Sequence, residues 1–324
     1  MQNSRSMSLL IIYKSHCKIK IDKKGDFMEK VIIKASDGYN LNVHVFDVSK
    51  PKGFIQIIHG MEEHQERYEL LASELNNAGY SVITSNLRGH GDDAPCLGYF
   101  ADKDGYKLVL EDEKLITDYI LNKYGVGKII LFGHSMGTII ARDLMMSESN
   151  VYEKVILSGY PNPQPAAGAG IMLANIVQKF KGPQYFSKFL EGMAVGAFNK
   201  AVKNPKTDFD WLSYNEDNVD TYIKDPYCGH GFKVSALRDL FILIKNMANP
   251  VGYNDVNEKL PIFMFSGEDD PCTGGEKGRE ASLKVLQAAG FKNIEVKVYE
   301  KMRHETLNEK KRDVIVKDII EFLG

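Results

Sequence analysis

The chain has 324 residues, 44% of them apolar and 26% charged, with a formal net charge of −2. That is room for one large domain or two modest ones with a core of useful size. The near-neutral balance excludes a general nucleic-acid binder, which would carry a basic excess or stripe.

Residues 1–27 come first and contain only a four-residue apolar run, Leu9-Leu10-Ile11-Ile12. It is too short for a membrane span or a signal-peptide core, so 1–27 is expected to be a dispensable extension. From Met28 the pattern becomes regular. Residues 30–35 and 40–47 flank Ser36-Asp37-Gly38, a hairpin signal. Residues 53–59 and 80–85 are short apolar runs that suit strands buried on both faces. Between them, 66–78 has helical apolar spacing stopped by Gly79. Helices are then predicted over 108–123, 136–146, 280–289 and 312–322, and strands over 128–132, 154–158, 260–265 and 294–299. Strands alternating with helices predict an α/β domain with a mostly parallel central sheet, helices on both faces and antiparallel strands at the leading edge. Residues 161–250 break the rhythm with helical pieces alone. They are expected to form a helical cap over the sheet's C-terminal edge, where open α/β sheets bind ligands. The core is then 28–160 plus 251–324.

Gly133-His134-Ser135-Met136-Gly137 fits G-x-S-x-G, with a predicted strand before it and a helix after it. This context puts a serine on a sharp turn, with glycines at ±2 letting strand and helix backbones pass closely. It points to an α/β-hydrolase fold with Ser135 as nucleophile. A serine hydroxyl needs a base, and the base needs an orienting acid. In this fold the order is Ser, then Asp or Glu, then His. Of the two downstream histidines, His304 follows a predicted strand and is the expected base; His230 lies within the cap. The acid falls in Glu268-Asp269-Asp270-Pro271. Asp270 is preferred because the following proline biases its backbone toward an extended form, with Asp269 and Glu268 as alternatives. Oxyanion donors are expected from the N–H groups of Met136 and Met61. Gly60, Glu62, His134, Met172 and Phe198 are candidate substrate contacts. No His/Cys/Asp cluster has ligand spacing, so neither metal nor cofactor is expected. The four cysteines show no C-x-x-C spacing, as for reduced thiols in the cytoplasm.

These residues resemble a known group. His59-Gly60-Met61-Glu62-Glu63-His64 with Arg67-Tyr68 is similar to the HGxxEHxxRY loop of monoacylglycerol lipases and bacterial lysophospholipase-like hydrolases, within the serine aminopeptidase S33-type hydrolases. The run from Gly133 to Thr138 resembles their nucleophile turn, and Arg303-His304-Glu305 their histidine loop. Ser266–Pro271 with Gly274-Gly275 resembles their acid loop, whose aspartate before proline serves as the acid; that supports Asp270. Arg88-Gly89-His90-Gly91 resembles their D-x-R-G-H-G segment, but Asn86 stands where the family has aspartate. The resemblance implies hydrolysis of a lipid-like monoester with an apolar acyl chain. Aminopeptidase or thioesterase activity on the same fold is the alternative, with Glu62, Glu63 or a cap acid available to hold an amine; a non-catalytic binding protein is a third. The expected partner is a small-molecule ester, with at most transient contact with a membrane surface and room for a homodimer.

Overall fold

A computed structural model describes residues 18–21 and 27–324. Among these, nine strands form one sheet: β1 (Lys18–Ile21), β2 (Phe27–Lys34), β3 (Asn40–Phe46), β4 (Phe54–Ile58), β5 (Ser81–Ser85), β6 (Ile129–His134), β7 (Tyr152–Ser158), β8 (Ile262–Gly267) and β9 (Ile294–Tyr299), in the order β1-β2-β3-β5-β4-β6-β7-β8-β9. Pairings up to β3–β5 are antiparallel and the rest parallel. This is the α/β-hydrolase topology. β1 adds an edge strand from within 1–27; the remainder of that stretch, except Phe27, lies outside the described residues.

The sheet carries an apolar cluster on each face. Along β6, Ile129 and Leu131 enter one cluster and Ile130 and Phe132 the other, because successive side chains point to opposite faces. Helices α1 (Glu69–Asn77) and α9 (Arg312–Leu323) cover one face. The other is covered by α2 (Gly105–Tyr124), α3 (Met136–Glu148), α7 (Val234–Met247) and α8 (Gly275–Ala289). The helix predicted from residue 66 instead begins with a 3₁₀ turn at Gln65–Tyr68, where Arg67 and Tyr68 are drawn to Glu63. Two glycines hide the start of α8 from a reading of apolar spacing.

Between β7 and β8 lie α4 (Ala167–Lys181), α5 (Lys188–Ala194), α6 (Glu216–Lys224) and α7. They differ in burial. α7 is buried along nearly its whole length and joins the cluster of α2 and α3. α4 rests on α7 through Ala167, Gly170 and Ala174; a Cβ on Gly170 would stand 2.8 Å from the Phe241 ring. No helix among the described residues is long and apolar enough to cross a membrane.

Candidate active site

Ser135 sits between the last residue of β6 and the first of α3, at φ 51° and ψ −117°. Few non-glycine residues adopt this conformation, and its cost is met by surrounding constraints. Its N–H donates to Ser158 O at 2.9 Å, and its carbonyl accepts from Thr138 N at 2.9 Å. A Cβ on Gly133 would lie 2.5 Å from Gly137 O, and one on Gly137 would lie 2.1 Å from Ile58 O on β4. Both glycines are therefore required for strand and helix to pass. The first N–H groups of α3, unpaired within the helix, put partial positive charge beside Ser135.

The loop after β8 carries the candidate acids. Asp270 is buried. Its Oδ1 accepts from Cys272 N at 2.9 Å, and both carboxylate oxygens lie 3.0 Å from His304 Nδ1. The two alternatives are placed elsewhere: Asp269 is exposed and accepts from the Tyr214 hydroxyl at 2.9 Å, and Glu268 is exposed. Burial pushes the His304 imidazole down, but the charge of Asp270 and its hydrogen bond outweigh this and hold it well above its ordinary value. In the neutral ring the proton sits on Nδ1, which faces the carboxylate, and Nε2 is the basic nitrogen. Nε2 lies 3.9 Å from Cys272 Sγ, a thiol that burial pushes up to about 11.

A third loop, residues 59–68, is fixed from several directions. Gly60 N–H donates to Glu63 Oε1 at 2.6 Å, and a Cβ on Gly60 would stand 3.2 Å from Ser135 Cβ. His59 Nε2 accepts from Leu87 N at 3.0 Å, and burial takes this imidazole down to about 4, so it is neutral. The Glu62 N–H faces His90 Nε2 at 3.4 Å, and His64 Nε2 meets Asp225 at 2.9 Å. Arg67 binds Glu63 at 2.6 Å and, bidentately, Glu305 at 2.7 Å, while Tyr68 donates to Glu63 at 2.8 Å. Against the upward push of burial, Arg67 holds Glu305 down to about 2. One guanidinium thus ties the loop of Met61 to the loop of His304. The Asn86 departure is accommodated: its Oδ1 accepts from Gln65 N and its amide donates to Asp93, which supplies a carboxylate nearby.

The three loops open into a cavity of about 710 Å3. Ser135, His304, Cys272, Met136, Met61, Gly60, Glu62, His134 and Phe198 all line it, as do His230, Trp211 and Glu191. The alternative base, His230, stands close to His90, with ring centroids 5.6 Å apart, whereas it is His304 that Asp270 engages. Met172 does not line the cavity; it is 58% exposed. The inward face of α4 is the small-residue stripe at 167, 170 and 174, and residue 172 lies about 200° around the helix from 170. Ile176, Phe180 and Phe189 are likewise exposed, whereas Phe186, Met193 and Phe198 reach the cavity. Of the carboxyls that line it, Glu62 and Glu191 are neighbours: the buried Oε1 of Glu62 has no hydrogen-bond partner among the described residues, and burial and the neighbouring Glu62 lift Glu191 to about 9. Glu191, Trp211 and the Arg67–Glu305 contact are not legible in the sequence. Helical spacing cannot show which cap residue turns inward, nor does it reveal pairs more than two hundred positions apart.

A family model described as serine aminopeptidase, S33, matches residues 49–311. The chain is similar to a monoacylglycerol lipase of Mycolicibacterium smegmatis, at 23% identity over 86% of this chain and 92% of that one. It is also similar to the monoglyceride lipase of Mus musculus, at 26% identity over 78% and 76%. Among solved structures, a highly thermostable carboxyl esterase from Bacillus coagulans superposes with a TM-score of 0.85 at 25% identity, covering 91% of this chain and 97% of that one.

Proposed function

The chain belongs to the serine aminopeptidase S33 family, and on that premise we propose that it hydrolyses carboxylic esters through an acyl-enzyme on Ser135. The observation that carries this reading is the buried Asp270–His304 pair opening into the same cavity as a serine held at a strained strand-to-helix turn. Ser135 attacks the ester carbonyl. His304 Nε2 takes its proton and returns it to the leaving alcohol, while Asp270 holds the ring tautomer and favours the imidazolium. The N–H groups of Met61 and Met136 meet the oxyanion. Water then releases the acid by the same route in reverse.

The substrate proposed is a lipid-like monoester. Ile139, Phe198, Leu240, Phe241 and Ile244 give the cavity of about 710 Å3 apolar walls suited to an acyl chain. The exposed Met172, Ile176, Phe180 and Phe189 suit passing contact with a lipid surface. Amide hydrolysis of a substrate with a free amine is a second reading, favoured by Glu62 and Glu191 in the cavity wall. A fluorophosphonate probe should label Ser135 and fail on Ser135→Ala. Across p-nitrophenyl esters, kcat/KM should rise from acetate to medium chains. Failure to label Ser135 would sink the mechanism; a maximum at acetate would sink the lipid substrate; faster cleavage of aminoacyl amides would favour the second reading.

A further inference from the structure

The segment before α6 grips the loop of His304 on both sides of one ring pair. Arg303 donates to the carbonyl oxygens of Asp210, at 2.6 Å, and Ser213, at 3.2 Å. The Glu305 N–H donates to Leu212 O at 2.7 Å. Between these bonds the indole of Trp211 lies against the imidazole of His304, with centroids 5.0 Å apart and planes 38° apart. Trp211 also lines the cavity, and its ring stands 5.0 Å from that of Phe198. It is the chain's single tryptophan.

Given the roles of Ser135 and His304 proposed above, on which this rests, we infer that Trp211 is a positioning residue for the base, its indole face favouring the imidazolium that His304 becomes during turnover. A neutral imidazole beside an indole gains packing alone. An imidazolium also gains attraction to the electron-rich ring face, and His304 is buried, so that attraction is less screened. The contact is thus stronger in a state that arises on the way to the tetrahedral intermediate, and such differential stabilisation lowers the barrier. The same wedge restricts the ring while Asp270 holds Nδ1. The other charged or titratable groups around His304 are Asp270 and Cys272 from the loop after β8 and His134 from β6, then Glu305, Arg67 and Glu63 beyond.

The sign of the effect distinguishes this role from simple packing. Removing the indole face while still excluding water lowers the imidazole's proton affinity; letting water in raises it. In Trp211→Leu, the acid limb of kcat/KM on a short soluble ester should move down by about half a pH unit, with a several-fold fall in kcat. Trp211→Phe, which keeps a ring face, should recover most of both. In the wild-type chain, Trp211 emission should fall as His304 gains its proton, because an adjacent imidazolium quenches indole, and His304→Ala should abolish that titration. The emission arm needs no turnover. If no ester is hydrolysed, the reading of the site fails while the coupling of the two rings is still decided. The inference is overturned by wild-type emission insensitive to pH. It is equally overturned by a limb in Trp211→Leu that stays put or moves up, or by a Phe variant no better than Leu. Should Leu fail to fold, the Phe profile and the wild-type emission decide.

Discussion

The platform at the C-terminal edge of the sheet and the helices α4–α6 above it are built by different rules. On the platform, position is set by backbone: Gly133 and Gly137 leave no room for a Cβ, and β4, β6, β7, β8 and β9 run parallel beneath the loops of Ser135, Asp270 and His304. Above it, position is set by side chains. α4 leans on α7 through three small residues, flanked by the partly buried Ile171, Leu173 and Val177, and leaves Met172, Ile176 and Phe180 to solvent. Where the backbone decides, a change at one atom should remove the chemistry and keep the fold. Where side chains decide, single changes should be mild and should act on which substrate is used.

Three substitutions test that contrast, from the largest effect to the smallest. Asp270→Asn keeps the shape of the pair but offers an amide where His304 needs an acceptor; kcat should fall about 10⁴-fold with little change in melting temperature. A loss under tenfold would mean that the pair does not set the tautomer. Glu305→Gln weakens the clamp on Arg67 and should cost about 2 kcal/mol in urea unfolding. It should also change the acid side of the stability curve. Glu305 is depressed in the folded chain, to about 2 from an ordinary 4.5. Its contribution is therefore complete above pH 4.5 and lost as the pH falls toward about 2. The variant should lack that part of the slope, and an unchanged slope would show that Arg67 does not act through Glu305. Phe180→Ser, on a side chain 76% exposed, should alter stability by less than about 0.5 kcal/mol. It should leave turnover of a soluble ester unchanged and slow hydrolysis of a micellar one; equal rates on both would remove the lipid-surface role.

Much of the platform is legible in the sequence because its constraints are written in residue type. Only glycine can stand at 133 and 137, only apolar runs can thread a sheet covered on both faces, and the parallel order places the loops of Ser135, Asp270 and His304 on one edge. The upper helices are less legible. α4 offers two apolar stripes, one of small residues through Ala167, Gly170 and Ala174, beside which Ile171, Leu173 and Val177 also pack, and one through Met172, Ile176 and Phe180. Hydropathy favours the second as the buried one, but close approach to Phe241 selects the small one. That is why Met172 faces solvent and not the cavity. Trp211 was likewise hidden, since its neighbour His304 is brought to it by the fold.

β7 and β8 are hydrogen-bonded neighbours, paired from Val155↔Ile262 to Ser158↔Phe265, so the sheet itself holds together the two ends of everything inserted between them. Closing a loop across fixed posts costs free energy that grows only logarithmically with its length. The insertion is in that sense a cassette. Provided α7 is retained to cover the sheet, the stretch before it can lengthen or shorten without moving the two ends that β7 and β8 hold in register.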